Sequence, residues 1–247
     1  MVPSTMPAPY HPNFRHITPG VEKFFNSFSL PRHRHLRAYA TIVLAGTLEE
    51  SGYSGRIRAE AGDVLIHAAL DCHANRMVSA GVKLIRLHWA DTSGVGGLYH
   101  LDEVDEVARA AEKDVTEASL LLEHALQKKR LPSPGQRNDW PDSLLADLTT
   151  NTSMEIGEWA EMNGLARETV TRGFEAAYGI APSVLRAEMR ARSAWLRITR
   201  GSDSLCRIAA DTGFADQAHM TRWIHRITGT PPAVWRRRMS SPHGSPS

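Results

Sequence analysis

The sequence predicts an α+β protein with three parts: an N-terminal β-barrel, a helical linker, and an all-α C-terminal domain with two helix-turn-helix motifs. Three observations carry this. From Ser27 to Ala90, short runs rich in β-branched residues are punctuated by glycines and polar pairs, the rhythm of a small barrel or sandwich. Beyond them, Val115, Ala118, Leu122 and Leu126 recur at helical spacing, with Leu121 widening the stripe. The C-terminal part then states one long pattern twice.

The repeat is the most informative feature. Ala160-x3-Gly164-Leu165 is followed by Arg172-x-Phe174-x4-Gly179-x2-Pro182-x-Val184-Leu185-Arg186. Some fifty residues on, Ala209-x3-Gly213-Phe214 is followed by Arg222-x-Ile224-x4-Gly229-x2-Pro232-x-Val234-Trp235-Arg236. A small residue lets a second helix cross closely, and the glycine four positions on supplies the positive φ of a tight turn. The arginine-bearing stretch that follows is a recognition helix. Gly-x-x-Pro then stops that helix and starts the next, glycine favouring the C-terminal end and proline the first turn. Pro182 to Arg200 joins the two motifs as about 28 Å of helix, close to the ~34 Å between successive major grooves on one face of B-DNA.

Residues Ile156 to Arg238 resemble the DNA-binding domain of the AraC/XylS transcription regulators, most closely in IAADTGFADQAHMTRWIHRITGTPPAVWR. The departures are Ala166 in place of an N-capping serine, Met220 and Ile224 in place of aromatics, and Gly173 inside the first recognition helix. That glycine weakens the helix by about 1 kcal/mol relative to alanine. The resemblance implies a sequence-specific DNA-binding transcriptional regulator, not an enzyme, working as activator or repressor. Its partners would be double-stranded DNA, a small-molecule effector, RNA polymerase and a second copy of the chain. It also implies base and phosphate contacts from the outward positions of both recognition helices. These are Arg167, Glu168, Thr171 and Arg172 in the first, and Gln217, Ala218, His219, Thr221 and Arg222 in the second. Gln217 suits adenine, Glu168 can accept from cytosine N4, and Arg172 or Arg222 suits guanine or a phosphate, or else braces the fold.

Charge agrees with this partner without establishing it. The whole chain carries a formal +2, yet from Asn151 onward there are 13 arginines, no lysine and 9 acidic residues. An arginine-only basic bias suits phosphate and guanine, where a planar fork outperforms a point charge.

In the front half, Tyr39 to Ala45, Val64 to Ile66 and Val82 to Trp89 read as strands. His33-x-His35-x3-Tyr39-x6-Gly46 resembles the first cupin motif, and Gly62-x10-His73 has the glycine-to-histidine spacing of the second. The barrel is therefore expected to be cupin-like, spanning residues 14–100. On a strand His33 and His35 face one side while Arg34 faces the other, and His73 from a neighbouring strand can complete a three-histidine face. Such a face suits zinc, iron, manganese or nickel. Tyr39 stands where metal-binding cupins carry glutamate, however, and Ala68 and Leu70 replace the proline and glycine of the second motif. The histidines are thus either ordinary residues of a ligand pocket, with no cofactor required, or ligands of a divalent metal. Two alternatives to an organic-ligand regulator follow: a metal-sensing regulator using His33, His35 and His73, and a metal-dependent cupin enzyme fused to a DNA-binding module. His67 and Cys72 lie near, at most one of them facing the site.

Helices are expected over Asp102 to Lys113 and Thr116 to Lys129, within a linker of residues 101–137 that ends in Leu131-Pro-Ser-Pro-Gly-Gln-Arg137. The apolar stripe would either form a dimer face or pack on its own barrel. Trp140 to Leu148 is a further helix at the start of the DNA-binding domain, residues 138–238. Residues 2–13 and the tail 239–247 are Pro/Ser-rich and expected to be flexible. Two cysteines, Cys72 and Cys206, imply no disulfide framework, and the absence of a signal-peptide core or a membrane-length apolar run makes the cytoplasm the expected place.

Overall fold

The computed structural model describes residues 14–90, 96–127 and 139–240. The expected segments 2–13 and 131–137 and the tail beyond 240 lie outside them. The chain divides into two compact units, one holding residues 14–142 and 177–179 and the other 143–176 and 180–240.

In the first unit nine strands form two antiparallel sheets. They are β1 (Gly20–Phe24), β2 (Phe28–Arg34), β3 (Tyr39–Ala45), β4 (Leu48–Gly52), β5 (Gly55–Ala59), β6 (Asp63–His67), β7 (Cys72–Met77), β8 (Val82–His88) and β9 (Gly97–His100). One sheet runs β1-β8-β3-β6-β9 and the other β2-β7-β4-β5.

Period-two alternation explains how the sheets pack. Val43, Leu65, Val82 and Leu84 from the first sheet meet Leu30, Leu48, Ile57 and Met77 from the second in one buried core. The opposite face of the five-stranded sheet, through Ala40, Ile42, Val64, Ile66, Ile85 and Leu87, is buried as well. Both faces of β3, β6 and β8 are therefore largely apolar around Val43, Leu65 and Leu84, which is why these strands read as hydrophobic runs, while Thr41, His67 and Arg86 make the inward face polar toward one end.

That second face is covered by α1 (Asp105–Ala111) and α2 (Val115–Gln127). Ala118, Leu122 and Leu126 are buried against the sheet, with Val115 and Leu121 packed beside them. The apolar stripe thus packs on its own sheet; the alternative reading of it as a dimer face fails because the stripe is already covered. Full burial of each leucine is worth about 1.5–3 kcal/mol. Leu120, on the other side of α2, is exposed. The first helix is shorter than expected, starting at Asp105 rather than Asp102 and stopping at Ala111, whereas α2 begins at Val115, one residue before the expected Thr116.

The second unit is helical: α3 (Trp140–Thr150, its first residues grouped with the first unit), α4 (Ile156–Met162), α5 (Arg167–Tyr178), α6 (Pro182–Arg200), α7 (Leu205–Asp211), α8 (Gln217–Thr228) and α9 (Pro232–Ser240). Trp159 Nε1 donates to Asp147 Oδ2 at 2.7 Å, which ties α3 to the first helix-turn-helix. The helix α6 covers Pro182 to Arg200 as its proline start predicts, burying Leu185, Ala191, Ala194, Trp195 and Ile198 along one face. Trp195 meets Trp235 of α9 edge-on at 5.5 Å. Trp235 Nε1 in turn donates to Thr228 Oγ1 at 3.0 Å, closing the core around the end of α8. No helix among the described residues is long and apolar enough to cross a membrane. Both cysteines are free thiols.

Candidate nucleic-acid interface and metal centre

The internal repeat is a repeat of backbone geometry. Gly164 and Gly213 have φ of 66° and 75°, and Gly179 and Gly229 have φ of 68° and 67°. In each turn the amide after the glycine bonds back to the small residue: Leu165 N to Ala160 O and Phe214 N to Ala209 O, both at 2.9 Å. The second turn is one residue longer than the first, and the two caps differ in chemistry. In the second, Asp216 caps α8 by accepting from His219 N at 2.6 Å. In the first, Ala166 occupies the cap position, its carbonyl receiving Val170 N, and has no side chain to offer.

Val170 and Phe174 of α5, and Met220 and Ile224 of α8, are buried. On the opposite side Arg167, Glu168 and Arg172 are exposed and Thr171 half-buried, and Gln217, Ala218 and Arg222 are exposed with Thr221 half-buried. His219 differs. Its ring packs edge-on against Phe214, and its Nε2 accepts the indole N–H of Trp223 at 3.1 Å, so much of its capacity is spent within the fold. Two neighbours were not singled out from the sequence: Trp223, and Arg226, whose guanidinium sits 4.9 Å from the Trp223 ring centre.

The spacing of the two motifs is fastened by α6. Arg190 donates to the Gly213 carbonyl at 3.0 Å in the second turn and also to the Thr152 carbonyl ahead of α4. Arg186 reaches the Met154 carbonyl in the same stretch. These arginines hold backbone and brace the fold.

In the β unit the histidines do converge. In β2 the register shifts between Leu30 and His33, one extra residue against β7, so Leu30 and His33 both turn inward although three positions apart. His33 pairs directly across from His73, and the ring centres lie 4.6 Å apart, with His35 4.9 Å from His33 and 5.5 Å from His73. Candidate ligand atoms of His33, His35 and His73 lie within 4.8 Å of one another. Arg34 is buried too, with a long contact to the Leu70 carbonyl at 3.5 Å.

On the other side of this cluster the sequence pointed to His67 and Tyr39 but missed Glu50. Leu48, Glu50 and Gly52 share the inward face of β4, and Glu50 accepts from His67 Nε2 and from Asn75 Nδ2, each at 2.8 Å. Glu50, His67 and His73 form a second group with ligand atoms within 4.8 Å. Tyr39, at the glutamate position of the motif, stacks on His67 at 4.2 Å and places its hydroxyl 3.1 Å from His73 Nε2. Alternation along β4 was the signal that could have found Glu50. Cys72 is buried but belongs to neither group.

Burial holds three of these imidazoles, His33, His35 and His73, toward the neutral form. Burial lowers the pKa of His33, against a raising hydrogen bond from its Nδ1 to the Pro31 carbonyl. Burial, then the neighbouring His33 and His67, lowers His35 to about 2. Burial, then His67, His33 and His35, holds His73 well below its ordinary value, and burial followed by the Glu50 charge pushes Tyr39 well above its own. Neutral imidazole is the form that ligates metal. His33 and His35 each have Nδ1 on a backbone carbonyl (Pro31 at 2.8 Å, Arg15 at 2.7 Å), which leaves Nε2 as the lone-pair nitrogen. Nδ1 of His67 and Nδ1 of His73 are buried with no hydrogen-bond partner, each a cost of about 1–3 kcal/mol.

Residues 159–238 match the family model described as "Helix-turn-helix domain". No curated protein matches the sequence. Among solved structures the chain is similar to ToxT from Vibrio cholerae strain SCE256 with bound unsaturated fatty acid, at 10% identity over 90% of this chain and 95% of that one, TM-score 0.41. It is also similar to an AraC-type DNA-binding-domain regulator from Chromobacterium violaceum, at 22% identity over 36% and 80% of the two chains, TM-score 0.33. A third is the C-terminal domain of AraT from Geobacillus stearothermophilus, at 16% identity over 44% and 95%, TM-score 0.38. At these scores the structural likenesses bear no weight for function.

Proposed function

Since residues 159–238 are an AraC-type helix-turn-helix domain, we propose that the chain is a sequence-specific transcriptional regulator whose β unit senses a ligand. The observation that carries this is the duplicated turn geometry, which presents α5 and α8 with their polar faces in the same register. On this reading Arg167, Glu168, Thr171 and Arg172 work in one major groove and Gln217, Ala218, Thr221 and Arg222 in the next. His219 contributes mainly by fixing Trp223. The ~28 Å of α6 falls short of a ~34 Å helical repeat, so the DNA bends toward the protein.

The β unit supports a sensor role through its enclosed polar cluster, which lies between the sheets where apolar side chains would be more stabilising. Ligand held there alters operator affinity, and a second copy of the chain and RNA polymerase are the partners this reading names.

The test begins with selection of bound sequences from a random duplex pool using the full chain. An enriched motif with two half-sites about one helical turn apart supports the reading, and no enrichment at any salt concentration sinks it. Within the motif, Gln217→Ala should relax one position and cost about 1–3 kcal/mol.

A further inference from the structure

We propose that Glu50, His67 and His73 hold a divalent first-row metal ion, displaced toward β4 and β6 from the His33–His35–His73 set that the cupin motif implies. Three observations converge on this side of the cluster. First, Tyr39 stands where the motif would carry a metal-binding carboxylate, and its hydroxyl engages His73 Nε2 at 3.1 Å. Second, the missing carboxylate is restored from a different strand: Glu50, 7% exposed, faces the same interior and meets His67 Nε2 at 2.8 Å. Third, candidate ligand atoms of Glu50, His67 and His73 lie within 4.8 Å of one another, and all three side chains are buried.

The donor atoms follow. His67 Nε2 and Glu50 Oε2 stand 2.8 Å apart, as two ligands of one ion can, so the ion would take the place of the proton that now joins them, with a ring nitrogen of His73 as the third donor. Two imidazoles and one carboxylate select zinc, iron, cobalt or nickel over calcium or magnesium, and leave coordination positions open to a further donor. His33 and His35, their Nδ1 atoms committed to backbone carbonyls, line the approach to His73. The ion, or a small molecule bound to it, is then the signal that the β unit reads; this last step rests on the regulatory function proposed above.

The experiment titrates metal-stripped full chain with Co(II) alone, following its d–d absorption, with elemental analysis of Zn(II)-loaded protein in parallel. Variants Glu50→Gln, His67→Gln and His35→Gln are compared, each checked for folding by circular dichroism. The expected result is about one ion per chain, with affinity falling roughly 10–100-fold in Glu50→Gln and His67→Gln but holding within about threefold in His35→Gln. Folded wild type that binds no ion overturns the proposal. So does loss of the ion in His35→Gln with Glu50→Gln unaffected. If the Glu50 and His67 variants do not fold, X-ray absorption of Zn-loaded wild type decides: two imidazoles with a carboxylate support the site, and three imidazoles overturn it. Operator binding is measured separately on loaded and stripped protein. DNA affinity that ignores the metal removes the ion as the signal while the site stands, and absence of any specific DNA binding strikes the regulatory function alone.

Discussion

Gly52 lies so close to His73 across the β4–β7 pair that a β-carbon there would come within 2.8 Å of the histidine's own Cβ and 3.1 Å of the Cys72 carbonyl. A strand interior ordinarily disfavours glycine, yet here its missing side chain lets His73 sit deep between the sheets. Gly52→Ala should therefore force the two strands apart and cost about 1–3 kcal/mol in a urea melt. A variant as stable as wild type would show that the strands yield freely at this point.

Leu70 is the lone described non-glycine residue with positive φ, at 59°, and it is fully buried. It stands where the cupin motif carries glycine, so this chain keeps the backbone of the motif and adds a core side chain. Truncating a buried leucine costs about 2–5 kcal/mol, while glycine at a left-handed position recovers about 1–2 kcal/mol of strain. Leu70→Gly should consequently be no more destabilising than Leu70→Ala. The reverse order in thermal or chemical denaturation would contradict the strain argument.

Arg190 joins the Gly213 carbonyl to the Thr152 carbonyl. Arg190→Lys cannot span both acceptors, since an ammonium lacks the planar fork. Both Arg190→Lys and Arg190→Ala should lower stability by about 1–2 kcal/mol and weaken binding to a two-half-site operator more than to a single half-site. Equal loss on both DNAs, read by anisotropy at fixed salt, would show that the residue does not set the spacing.

Asp216 and Ala166 occupy matching cap positions with unlike chemistry. Asp216→Ala should destabilise the C-terminal unit by about 1 kcal/mol, and Ala166→Asp should stabilise it by about 0.5–1 kcal/mol. The pair is checked by melting both variants side by side, and shifts of the same sign would refute it.

Much of this was legible in the chain. Four glycines and two prolines at matched spacing encode turns and helix starts that depend only on local backbone preference, so α4 to α9 could be read directly. The double apolar face of β3 and the stripe on α2 were legible as patterns, but which surface each covers is decided by sheet pairing, a long-range property. His33, His35 and His73 stood out because a motif gathers them. Glu50 did not, because a carboxylate between Glu49 and Ser51 looks like an exposed strand position until the partner strand fixes its parity. The β2 bulge that turns both Leu30 and His33 inward left no mark that alternation alone could reveal.

The difference between the two helix caps has a consequence in time. A helix whose first turn is capped by Asp216 stays closed at its entry end, whereas α5 begins at Ala166 uncapped and carries Gly173 in its middle, so its opening turn frays more often. Hydrogen exchange should find the first amides of α5 turning over several times faster than those of α8. The duplication thus predicts two helix entries of unequal lifetime, a firmer one at Asp216 and a softer one at Ala166.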